Sequence, residues 1–335
     1  LHLAVHGGEI KAVELCLKNG ALISTQQHDS STPVHLACSQ GSYDIVNLMF
    51  ALQPQEKKKA LATQDAQGMS PLHCAAMFDH PQLVTYLIDQ GANIDIVDKE
   101  HRSPLLLAAG HKGWRSIDVL LSRGADPTIR DSSNKNLLHV VVMGGGCLME
   151  LFSLSNAQES WWKQRVALML NEQDSLGWSP LHYASRAGQI SSLASLLRLG
   201  ASVRTKDKRN ESPLHFAAKY GRYNTVRQLV ESLNGFLILN ECNDEGKTAL
   251  HIASGEGHTR VVQLLLGKGA LLHRDHQGRT PLHLAAEGGH LVTLTAILSV
   301  HSHTLDQTDK EGNTPLHSAV RANKPEVVSE LMTLN

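Results

Sequence analysis

Twenty histidines in 335 residues, set at near-regular intervals, are the first feature of this chain that could do chemistry. Imidazole ligates metals, relays protons and activates nucleophiles. Nine of the twenty occupy one slot: His2, His35, His73, His139, His182, His215, His251, His283 and His317. Leu106 stands in the same slot between His73 and His139, and the successive steps are 33, 38, 33, 33, 43, 33, 36, 32 and 34 residues. Side chains one such step apart on stacked units lie about 10 Å from each other, whereas ligands of a shared zinc ion sit about 2 Å from the metal. The pairs His35/Cys38 and His73/Cys74 share a helix and lack two further ligands. The spacing therefore points to no metal site and no cofactor. It assigns the histidines to hydrogen bonds with the turn of their own or the next unit. "GGGC" at 144–147 lacks the lysine and hydroxyl residue of a phosphate loop, so it reads as a flexible or tight turn. No Ser/His/Asp or Cys/His set has catalytic spacing, and no paired carboxylates fall in an expected cleft, so the segment is not expected to be an enzyme.

The elements that must position these residues follow from the motif around them. "TPVHLA" at Thr32, "SPLHCA" at Ser70, "SPLLLA" at Ser103, "NLLHVV" at Asn136, "SPLHYA" at Ser179, "SPLHFA" at Ser212, "TALHIA" at Thr248, "TPLHLA" at Thr280 and "TPLHSA" at Thr314 join the opening "LHLA" to make ten copies. Ser or Thr accepts a hydrogen bond from a free amide of the first helical turn, and proline behind it supplies a preset φ where no amide is needed. Leu282, Ala285 and Ala286 share an apolar face, and a second helix, as in 260–270, buries Val261, Val262, Leu264, Leu265 and Leu266. Gly269 suits the left-handed end of that helix, and Asp-x-x-Gly tetrads at 65–68, 174–177, 275–278 and 309–312 are turn chemistry at a hairpin tip. A period near 33 with this signature is that of the ankyrin repeat. The expected fold is an all-α solenoid of about ten stacked ankyrin repeats, each a helix-turn-helix with a hairpin finger.

The array reads as a single domain over 1–335, truncated at both ends, since "LHLAV" opens without a preceding turn and "EVVSELMTLN" closes without a helix-ending glycine. The 38-residue step implies a short loop insertion at 53–60, with the lysines of "QEKKKA" in solvent. The 43-residue step marks an irregular repeat near 134–172. It carries about fifteen extra residues between its helices, at 144–158, and a finger about five residues short. Trp161 and Trp162 open its second helix, followed by Val166, Leu168 and Met169 as core; the two tryptophans either cover the gap left by the short finger or anchor the array to a neighbour. With 31 basic against 32 acidic residues, no strong field draws the chain to nucleic acid. Five dispersed cysteines fit a reducing, cytosolic setting, and no apolar run approaches the roughly 20 residues of a membrane span.

"DKEHRSPLLLAAGHKGWRSIDVLLSRGA" at 98–125, "NKNLLHVVV" at 134–142, the irregular repeat ending in "QDSLGWSPLHYASRAG" at 173–188, and "DKRNESPLHFAAKYGRYNTVRQLV" at 207–230 resemble the cytosolic ankyrin domain of TRP-ankyrin (TRPA) cation channels. The likeness spans essentially the whole chain, including the order of regular and irregular repeats. It implies assembly, interaction and gating coupling in a homotetrameric, non-selective, Ca²⁺-permeable channel of the plasma membrane, opened by temperature or noxious chemicals. Membrane contact would come only through pore helices C-terminal to Asn335. In electrophile-sensing members of the family, "WSPLHYAS" corresponds to a stretch carrying two cysteines; here Trp178 and Ser185 hold those slots, which puts electrophile sensing there in doubt and fits an invertebrate-type thermosensory paralogue better. The rival reading is a soluble ankyrin adaptor that binds a protein partner through its concave face.

Overall fold

A computed structural model describes residues 1–154 and 160–334. Among these residues the regular elements are α-helices, joined by turns and one short 3-10 helix at Ser302–Thr304. Where the sequence reads as one undivided array, the contacts divide the chain into two compact units, Leu1–Ser175 and Leu176–Asn335.

Within each unit the motif residues start the first helix of every repeat, as in Pro33–Gln40, Pro104–Gly110, Pro213–Lys219 and Pro281–Gly288. Thr32, Ser70, Thr248 and Asn136 accept the amide of the residue three positions on, and proline follows the cap in most repeats. First helices lie against first helices of the neighbouring repeats, through small buried side chains such as Ala75, Ala76, Ala217, Ala218, Ala285 and Ala286. Second helices form the other layer. In Thr259–Gly267 the fully buried side chains are Val261, Val262 and Leu265, while Leu264 and Leu266 sit at the edge. Each of these buried aliphatic side chains is worth roughly 2 kcal/mol of transfer free energy. Gly269 takes φ +86° directly after that helix.

The fingers are turns closed by main-chain bonds. Asp65 N–H donates to the Met69 carbonyl and Asp275 N–H to that of Arg279, each at 2.9 Å, while the Asp65 and Asp275 carboxylates accept the amides two and four residues on. Adjacent fingers are then joined tip to tip. Ala66 donates to the Asp29 carbonyl, Lys99 to Gln67 and Ser132 to Glu100 in the first unit; Asp244 donates to Arg209, His276 to Glu245 and Lys310 to Gln277 in the second.

Three local expectations are corrected. The insertion expected as a loop at 53–60 is a helix, Pro54–Ala62. Proline at its first position, Glu56 in its first turn and a run of strong helix formers favour that state, and burial of Ala60 and Leu61 anchors it. Gln53 braces it by accepting from Ile23 N–H at 3.1 Å and donating to the Ala21 carbonyl at 2.6 Å. In the irregular repeat, the connection after Met143 contains a further short helix, Leu148–Phe152, with Leu148 and Leu151 buried; positions 155–158 of the expected insertion lie outside the described residues. The second helix there is Ser160–Met169, and Leu168 is exposed rather than core, since Val166 and Met169 already fill the buried side.

Candidate functional site

The motif histidines His35, His73, His139, His182, His215, His251 and His283 are all buried. In His35, His73, His182, His215, His251 and His283 the ring spans two repeats. Nδ1 accepts the backbone N–H of the cap residue at 3.0–3.2 Å, from Thr32, Ser70, Ser179, Ser212, Thr248 and Thr280. Because Nδ1 is an acceptor, the proton resides on Nε2. That N–H donates to the carbonyl at the base of the next finger: His35 to Met69, His73 to Arg102, His182 to Glu211, His215 to Lys247, His251 to Arg279 and His283 to Asn313, all at 2.9–3.2 Å. In five of these rings burial disfavours the charged form. It pushes His215 and His251 down to about 4, and His35, His73 and His283 below the ordinary histidine value. His317 makes the same bonds to Thr314 but is exposed. At Ser103 the slot is filled by Leu106, whose amide still donates to the serine hydroxyl at 3.3 Å.

A second row caps the ends of the first helices. Nε2 of His80, His258 and His290 donates to the carbonyls of Ser39, Lys219 and Gly255 in the preceding repeat at 2.9–3.0 Å. His290 packs so closely on Gly257, at φ +75°, that a Cβ there would meet the ring at 2.4 Å. Arg222 Nε does the same work on the Arg186 carbonyl, a role the sequence reading did not foresee because it followed histidine alone. Among the described residues no cluster of His, Cys, Asp or Glu has metal-binding geometry.

The triple glycine is a tight turn. A Cβ on Gly144 would meet the Gly110 carbonyl at 2.9 Å, one on Gly146 would meet Trp114 at 3.1 Å, and Gly145 takes φ +69°. Trp162 is buried, Trp161 is half-buried, and their rings meet edge to face at 6.0 Å. In the second unit, Trp178 bonds Asp207 through its indole N–H at 3.2 Å and packs edge-on against Tyr183 and Phe216, with the Arg186 guanidinium 5.4 Å from its ring. Ser185 is fully buried. Burial raises the Cys38 thiol well above its ordinary value and that of Cys74 to about 11, which disfavours thiolate formation.

Asp79 was also missed by sequence reasoning. It holds the left-handed position between helices at φ +56°, where most repeats place glycine. Its carboxylate reaches into the next repeat, accepting from Ser116 N–H at 2.8 Å and Arg115 Nε at 3.1 Å, and so caps the helix Trp114–Ser122. Asp79→Ala should cost about 2 kcal/mol, from the lost cap and an alanine at positive φ. Asp79→Asn, which tolerates that φ and keeps one acceptor, should cost less than half as much. Urea unfolding midpoints of the two variants check this, and equal midpoints would remove the capping role.

An open cleft in the second unit has a volume of about 370 Å³. Gly255 leaves a gap between Lys219 and Glu287 on the neighbouring helices, floored by Ile252 and Leu284 and walled by Lys247 and Arg279. Much of its charge is paired internally, Lys247 with Glu245 at 2.5 Å and Arg279 with Glu287 at 3.1 Å. This is recognition chemistry, with balanced polar groups over a small apolar floor.

Family models described as ankyrin repeats match 1–50, 52–131, 105–207, 192–274 and 269–335. The chain belongs to the ankyrin-repeat family. This ankyrin domain is 60% identical over 335 residues, all of its length, to the transient receptor potential cation channel subfamily A member 1 of Drosophila melanogaster, of which it covers 28%. It is 39% identical over 326 residues, 93% of its length, to the human protein of the same name, covering 27% of that chain. A distant match, 28% identical over 236 residues, is the palmitoyltransferase AKR1 of Lachancea kluyveri, with 69% of this chain and 30% of that one covered. The domain thus spans little more than a quarter of the length of the TRPA relatives. The similarity supports an ankyrin domain of the TRPA type, and ankyrin repeats are interaction modules. No helix among the described residues is long and apolar enough to cross a membrane.

Proposed function

We propose that this ankyrin domain is the cytosolic assembly, interaction and gating-coupling part of a TRPA-type cation channel. The whole channel would be a homotetramer in the plasma membrane, non-selective and Ca²⁺-permeable, opened by temperature or noxious chemicals. The observation that carries the reading is 60% identity over an alignment that covers all 335 residues. Generic ankyrin stacking requires the motif slots, which are a small share of the chain, and does not by itself require identity at this level over the full length.

The motif residues serve coupling in this proposal. A ring bonded to two repeats transmits a tilt of one finger to the next first helix, so a stimulus that changes stacking at one repeat shifts its neighbours. The cleft around Gly255 supports a site for a protein partner, and Trp161 and Trp162 serve as packing anchors of the irregular repeat.

The test is voltage clamp of cells expressing the full-length protein, with heating and with electrophilic and non-electrophilic irritants applied in turn. A Ca²⁺-carrying cation current is expected. A folded, soluble product with no current would replace the channel by the adaptor reading. A chemically evoked current without temperature dependence would remove thermosensing alone.

A further inference from the structure

We infer that the second-helix layer of the unit Leu176–Asn335 contains a soft joint between the helices Ile190–Arg198 and Tyr223–Val230, created by a buried hydroxyl that has no partner. The third residue of a second helix faces the neighbouring second helix and is aliphatic in Ile45, Leu83, Val261 and Val327. In the helices Trp114–Ser122, Ile190–Arg198, Tyr223–Val230 and Leu291–Val300 it is Ser116, Ser192, Thr225 and Thr293, each with no more than 1% of its surface exposed.

Two of these positions form a natural comparison. Thr293 Oγ1 lies 2.7 Å from Oγ1 of Thr259, the residue that opens the preceding second helix. Thr225 Oγ1 is equally buried and reaches no donor or acceptor. The residue that opens the helix before it is Ile190, which offers neither. Thus one side chain decides whether the same buried threonine is satisfied. The faces around the two threonines differ as well. Ile190–Arg198 buries Ser192 and Ser195 beside Leu193 and Leu196, whereas Thr259–Gly267 buries Val261, Val262 and Leu265. An unsatisfied hydroxyl and fewer aliphatic contacts lower the free energy of separating the first pair relative to the second. Local opening should therefore concentrate there.

Amide hydrogen exchange in the full chain tests the joint. Amides of Ile190–Arg198 and Tyr223–Val230 should exchange about tenfold faster than those of Thr259–Gly267 and Leu291–Val300. Thr225→Val, of nearly the same shape, should slow the first pair about tenfold, and Ile190→Thr, at a partly exposed position, should do so by supplying the missing partner. Thr293→Val should speed the second pair, because it strands Thr259. Equal protection of the two pairs, or exchange unchanged in both Thr225→Val and Ile190→Thr, would overturn the joint. The role of the joint in gating rests on the channel reading and has its own measurement. Thr225→Val should shift the activation threshold of the full-length channel; slowed exchange with an unmoved threshold would leave the joint in place and remove it from gating.

Discussion

Replacing His251 with alanine is expected to lower the unfolding free energy by about 4 kcal/mol, more than any surface change in the same repeat. The ring is fully buried, accepts from Thr248 N–H at 3.1 Å and donates to the Arg279 carbonyl at 3.2 Å. Alanine leaves a cavity, strands a buried amide and removes a bond between repeats, three costs of about 1–2 kcal/mol each. The protein contains its own control. Leu106 occupies the equivalent slot, nearly fully buried, beneath a Ser103 cap that is still made. His251→Leu should therefore keep the volume and lose about half as much. Urea titration followed by circular dichroism measures both, and a loss below about 1 kcal/mol for His251→Ala would show that the ring does not staple the repeats.

Stability should also fall as pH drops from about 6.5 to 4, before most carboxylates protonate. The sign follows from the depressed histidines. Above pH 6.5 the rings are neutral in both folded and unfolded chains, and their contribution is complete. Between 6.5 and about 4 the unfolded chain binds protons that buried His215 and His251 refuse, so folding loses ground; below about 4 both states are charged and the contribution is gone. For these two residues the loss amounts to roughly 3 kcal/mol each over the window, and His35, His73 and His283 add to it in the same direction. The carboxylates held below their ordinary values, Asp309 by bonds to Asn313 and Glu245 by Lys247, lose their contribution only at still lower pH. Melting temperatures at pH 7.5, 6 and 5 should decline steadily, and the double variant His215→Leu, His251→Leu should flatten the decline. A melting temperature constant from pH 7.5 to 5 would contradict neutral buried rings.

The repeat was legible because its determinants are local. A cap residue, a proline and a histidine within six positions specify a helix start whatever surrounds them, and ten copies fix the period. What escaped the sequence depends on neighbours. The surplus at 53–60 can be counted, but whether it coils or forms a helix turns on Gln53 meeting Ile23 and Ala21 of another repeat. Leu168 looks like core by type, yet Val166 and Met169 leave it no room inside. Asp79 occupies a glycine position and looks like a tolerated turn residue until its carboxylate is placed against Ser116, 37 residues on. Arg222 escaped for a related reason, since its role on the Arg186 carbonyl belongs to a geometry that guanidinium and imidazole fill equally well.

The tip-to-tip bonds between fingers are made by main-chain atoms, from Ala66 N–H to the Asp29 carbonyl through to Lys310 N–H and Gln277. These particular bonds do not depend on the side chains of the residues that make them. Substituting the side chains of Gln67, Glu100, Arg209, Glu245 and Gln277 should leave the bonds made by their carbonyls in place, whereas removing a buried histidine staple loosens the repeats. New side chains, and with them new binding chemistry, can be set on these five positions while the main-chain frame between the tips stays as it is.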